Sequence, residues 1–94
     1  MALRAHLLVH GNVQGVNYRW VVQTAAKSLA INGWVRNLDD GNVEILCESG
    51  TEKAYREFLK KIEIKDQLRH VEKIEILDFT KNAEPQFKFF AIEY

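Results

Sequence analysis

The chain has one cysteine, one proline and no net charge, with thirteen Lys plus Arg balancing thirteen Asp plus Glu over 94 residues. The single cysteine, Cys47, excludes an internal disulfide and a cluster of thiolate metal ligands. It points to a reducing compartment. A neutral chain has no overall field with which to hold a polyphosphate, so nucleic-acid binding by bulk charge is not expected. No apolar run approaches the roughly 20 residues of a membrane span. The opening Met1-Ala2-Leu3-Arg4-Ala5-His6 lacks the apolar core of a secretory signal. These absences leave a cytoplasmic, unanchored protein that needs neither nucleic acid nor membrane as partner. At 47% hydrophobic and 28% charged residues, residues 1–94 have the composition of a single globular domain.

Leu3, Ala5, Leu7 and Val9 alternate with Arg4, His6 and His10, the period of a half-buried strand. Gly11 to Asn17 breaks that period with turn residues. From Tyr18 the apolar positions Tyr18, Val21, Val22, Ala25, Ala26 and Leu29 trace one face of a helix, which Asn32-Gly33 is expected to stop. Gly33–Asn37 reads as a second strand, Asp39-Asp40-Gly41 as a hairpin turn, and Val43, Ile45 and Cys47 as the buried side of a third. Ser49 and Glu52 fit a capping box for a second helix that buries Ala54 or Tyr55, then Phe58, Leu59 and Ile62. A strand over Val71–Phe79 has Val71 out of phase with Ile74 and Ile76, which predicts a bulge or a late start. Lys81–Gln86 is expected to turn, and Phe87–Tyr94 to close as a final strand.

The order βαββαβ plus a short C-terminal strand predicts an α+β, ferredoxin-like split βαβ sandwich with two helices on one face of an antiparallel sheet. In that arrangement strands one and two run parallel with strand three between them. Two strand spacings put their C-terminal ends about 10 Å apart. The loop after strand one, Asn37 and Arg19 then converge. Gly11 and Gly15 allow main-chain amides to turn inward as an anion nest at a helix N-terminus. Arg19 adds a guanidinium that matches two phosphate oxygens, and Asn37 offers a carboxamide that orients water but does not titrate.

Gly11-Asn12-Val13-Gln14-Gly15-Val16-Asn17-Tyr18-Arg19 resembles the first signature of the acylphosphatases, and Gly33 to Gly50 is similar to the second. The resemblance covers the whole chain. It implies metal- and cofactor-independent hydrolysis of an acyl phosphate to a carboxylate and inorganic phosphate. A monomer is expected. Arg19 takes the place of the family's catalytic arginine, with phosphate held by Gly15, Val16, Asn17, Tyr18 and Arg19. Asn37 takes the place of the catalytic asparagine that holds the attacking water. Inorganic phosphate or sulfate is the expected product-like ligand. Two positions depart from the family pattern. Lys65-Asp66-Gln67-Leu68 stands where relatives often carry Gly-Pro, and Leu38 stands where many carry Ser or Thr.

Plainer readings compete for the neighbouring residues. Gln14 is expected to brace the loop, His10 to be an exposed strand end, and His6 and His70 to be surface groups. Trp20 and Trp34 read as packing, and Cys47 as a buried thiol. The rival function is a non-catalytic module that binds an anion or phospho-metabolite. An RNA-binding sheet is disfavoured, because strand three presents Glu44 and Glu48 rather than exposed aromatics.

Overall fold

The alternation along the first strand places Ala5, Leu7 and Val9 in the core and leaves His6, Leu8 and His10 half-buried on the opposite face. The structure, a computed structural model, describes residues 2–94. Its elements are β1 (Ala2–Asn12), α1 (Tyr18–Ser28), β2 (Asn32–Asn37), β3 (Val43–Ser49), α2 (Glu52–Ile62), β4 (His70–Ala83) and β5 (Phe90–Glu93). The strands form one sheet in the order β4-β1-β3-β2-β5. β3 runs antiparallel to both β1 and β2, so those two are parallel and end at the same edge. Val22, Ala26, Phe58 and Ile62 of the helices share one core cluster with Leu7, Val9, Val35, Val43 and Ile45 of the sheet. Burying a side chain such as Phe58, which is fully enclosed, contributes roughly 1.5–3 kcal/mol.

Several expectations change in detail. The sheet is mixed rather than antiparallel, because β5 pairs parallel to β2. β5 is also shorter than expected, covering Phe90–Glu93. β4 instead runs on to Ala83, so the turn begins later than Lys81. The phase break at Val71 is a true irregularity: the β1–β4 register shifts between His10 and Gly11, and again between His6 and Leu7.

The helix ends also differ from expectation. Thr51, not Ser49, caps α2, its Oγ1 accepting from the Ala54 amide at 3.1 Å. Ser49 still belongs to β3, is buried, and donates its hydroxyl to the Thr51 carbonyl. α1 stops before Asn32-Gly33, which already opens β2. Ala30 adopts a left-handed φ of 55°. The Ile31 amide returns to Ala26 O (2.9 Å) and the Ala30 amide to Lys27 O (3.3 Å), a Schellman closure built without glycine. The atypical 65–68 connection is held by its own turn and by Asn12, whose Nδ2 donates to Leu68 O at 3.3 Å. Asp66 Oδ1 accepts from the amides of Leu68 and Arg69 at 2.9 and 2.7 Å.

Candidate functional site

Gly11 belongs to the sheet rather than to the loop. A Cβ there would sit 2.0 Å from the His70 carbonyl, so its lack of a side chain lets β4 close on β1. The loop proper starts at Val13, which is buried and anchors it. Gly15 (φ 73°) and Asn17 (φ 64°) are both left-handed and wind the chain tightly into α1, the backbone signature of an anion nest. Asn17 is the N-cap residue but gives no side-chain hydrogen bond, and the first turn holds no acidic residue. The first amides of α1, which lack intrahelical partners, therefore stay unclaimed by a cap.

Tyr18 fixes this turn from below. Its ring is buried and its hydroxyl donates to Ile62 O at 2.7 Å. Burial, helped by the charge of Glu63, drives its pKa far above the usual phenol range. Only the main chain of Tyr18 faces the loop's function. Arg19 donates from Nη1 to Glu93 O at 2.9 Å, and its guanidinium lies 4.7 Å from the Tyr94 ring centre. One corner of the fork is thus held, and the remaining donors point to no protein acceptor among the described residues.

Asn37 closes β2, in register with Val43. Its Oδ1 is buried and has no hydrogen-bond partner among the described residues. Gln14 does brace the structure. Its Nε2 donates to Leu38 O at 2.6 Å and to Asn42 O at 2.7 Å, joining the loop to the β2–β3 hairpin. Leu38 contributes through its main chain, so the missing hydroxyl does not loosen this link.

These parts meet around a hollow of about 180 Å³ lined by Val13, Gly15, Asn17, Tyr18, Arg19, Trp20, Asn37, Ile92 and Tyr94. Of the residues singled out in sequence, Gly15, Asn17, Tyr18, Arg19 and Asn37 line it. Val16 does not and instead packs against the core. Ile92 and Tyr94 were not foreseen. The parallel β2–β5 pairing brings them in, and no local sequence signal announces that pairing. Trp20 corrects the packing reading, being 54% exposed at the hollow's rim. Trp34 lies on the other sheet face, beneath the Arg36 guanidinium and edge-on to His6. His10 stands apart and pairs with Glu75 at 3.0 Å. The hollow therefore combines one fixed cation, unclaimed main-chain amides and a buried carboxamide acceptor, with no carboxylate or imidazole side chain among its lining residues. Such a set grips a tetrahedral anion and orients a neutral molecule beside it.

A family model described as Acylphosphatase matches residues 5–92. The chain is 38% identical over 91 residues to the acylphosphatase of Geobacillus thermodenitrificans, covering 97% of this chain and 94% of that one. Identity to the acylphosphatase of Thermococcus kodakarensis is 49% over 52 residues, a match spanning 55% of this chain and 57% of that protein. The crystal structure of acylphosphatase from Bacillus subtilis superimposes with a TM-score of 0.88 at 34% identity, over 98% of this chain and 99% of that one.

Proposed function

The chain belongs to the acylphosphatase family, and on that premise we propose that it hydrolyses an acyl phosphate to a carboxylate and inorganic phosphate. In this reading the amides of Gly15 to Arg19 and the Arg19 guanidinium hold the phosphoryl oxygens, while Asn37 holds the attacking water. The water oxygen adds to phosphorus, the bond from phosphorus to the acyl oxygen breaks, and that oxygen leaves as carboxylate. A carboxylic acid has a pKa near ~4, so the leaving group needs no proton from the protein. A phosphoryl oxygen of the substrate takes the water's proton, which suits a hollow whose lining has no base. Positioning and charge stabilisation then carry the rate, with no metal or cofactor required. The unit proposed is a single chain in the cytoplasm, a reducing compartment that agrees with its lone, free cysteine. Inorganic phosphate, or sulfate in its stead, occupies the same cradle as a product-like ligand.

The observation that carries the reading is Asn37 Oδ1, a buried and unpartnered acceptor in the same hollow as Arg19. An unmet buried acceptor costs about 1–3 kcal/mol. A water donating to it offsets that cost and turns its lone pair outward, toward the phosphoryl site. Phosphate release from benzoyl phosphate, measured with chelator present, tests the proposal. The intact chain should turn over unhindered, and Arg19→Ala should lose about a thousandfold or more together with inhibition by phosphate. Full activity in that variant, or phosphate binding without turnover in the intact chain, would overturn it, the latter in favour of the anion-binding module.

A further inference from the structure

The hollow is small. Its volume is about 180 Å³. With the phosphoryl group and the attacking water placed at Arg19 and Asn37, the acyl part of a substrate extends to the rim. Of the three aromatic residues at the hollow, Tyr18 is buried and tied to Ile62, and Tyr94 sits over Arg19. Trp20 is 54% exposed and makes no ring pair or side-chain hydrogen bond among the described residues. It also walls a second depression, a trough of about 260 Å³ formed with Val21, Thr24, Ala25, Ser28 and Lys61. Trp20, Thr24 and Ser28 stand at i, i+4 and i+8, so they follow one line along α1. The two small hydroxyl side chains leave the trough open beside the indole. Trp20 is the one residue that lines both hollow and trough.

We propose that Trp20 and this trough are the subsite for the acyl group, selecting apolar acyl phosphates, aryl above all, over small polar ones. The inference rests on the hydrolase reading above. A flat aryl group laid along the indole removes apolar surface from water on both partners and gains the offset ring contact that aromatic pairs prefer. An acetyl group reaching past the hollow covers little of that surface. Lys61 is the trough's one cation and is not among the residues lining the hollow, so the subsite sorts acyl groups without changing how the phosphoryl end is held.

The test compares kcat/KM for benzoyl phosphate and acetyl phosphate in the intact chain, Trp20→Ala and Trp20→Phe, with the inhibition constant of inorganic phosphate alongside. Trp20→Ala should lower the benzoyl-to-acetyl ratio about tenfold, Trp20→Phe should restore most of it, and the phosphate constant should move in neither. An unchanged ratio in an active Trp20→Ala enzyme overturns the subsite alone. A phosphate constant that weakens as much as benzoyl turnover also overturns it, placing Trp20 in the cradle. Failure of the intact chain to hydrolyse either compound defeats the hydrolase reading and the subsite with it.

Discussion

Two polar clusters on this molecule are built from the same materials and differ in whether their groups are paired. Around Glu48, on the sheet face away from the helices, every strong group has a partner. Arg4 donates to Oε2 from Nε at 2.9 Å and Nη2 at 2.6 Å, and the amides of Gln86 and Phe87 each reach Oε1 at 3.0 Å. Burial alone would raise the Glu48 pKa, but the Arg4 fork and the two amides outweigh it and hold the carboxylate below its ordinary range. The hollow likewise gathers an arginine, main-chain amides and a side-chain carbonyl oxygen, yet leaves them largely unmet. A satisfied cluster holds the chain together. Glu48 pins the segment that leads into β5, and β5 in turn supplies the Glu93 carbonyl to Arg19. An unsatisfied cluster keeps its hydrogen-bonding capacity for a molecule that comes and goes.

If that contrast is right, substitutions should separate turnover from folding. Below the Arg19→Ala loss, the largest effect belongs to Asn37→Ala, which should lower kcat about 10²–10³-fold with phosphate inhibition and melting temperature retained. Equal loss of phosphate affinity would make Asn37 part of the frame and erase the distinction. Glu48→Gln should do the reverse, costing about 2 kcal/mol of stability. A buried pair costs more to break, but Arg4 is partly open to solvent. Activity near neutral pH should survive in folded protein. Because the folded pKa of Glu48 is lowered, its contribution is full above the ordinary carboxylate value of about 4.3 and is lost as pH falls through the folded value. Melting temperature should therefore drop on acidification in the intact chain and drop less in Glu48→Gln. An identical pH profile in the two proteins would refute the clasp. The smallest effect concerns strain far from the hollow. Ala30→Gly relieves a left-handed alanine while loosening the unfolded chain, for a net gain of about 0.5–1 kcal/mol, read by denaturant unfolding with kcat unchanged.

The site was more legible in the sequence than the frame that holds it. Gly15, Asn17 and Arg19 lie within five consecutive residues, and the split βαβ order alone carries Asn37 to them, so local pattern and topology brought these four together while missing Ile92 and Tyr94. The Glu48 cluster joins residues 38 to 44 positions apart through an ion pair and main-chain amides, which no spacing rule encodes. Ser49 and Thr51 are both good cap residues two positions apart. Only the persistence of β3 through Ser49 decides between them. The outer stretch of β4 alternates poorly because Ile76, Leu77 and Phe79 are all substantially exposed, so its true length left little trace in hydrophobic period. Trp20 and Trp34 could not be sorted from residue type, since an indole serves equally well under a core or at a rim.

The lone thiol has a practical consequence. Cys47 is fully enclosed, donates weakly to Ala5 O at 3.6 Å, and is pushed by burial up to about 12 in pKa. Neither access nor thiolate is on offer to an alkylating reagent while the sheet is closed. Each chain thus carries its own stopwatch: the speed at which iodoacetamide marks that sulfur reports how often the central strands part, with no dye or engineered probe.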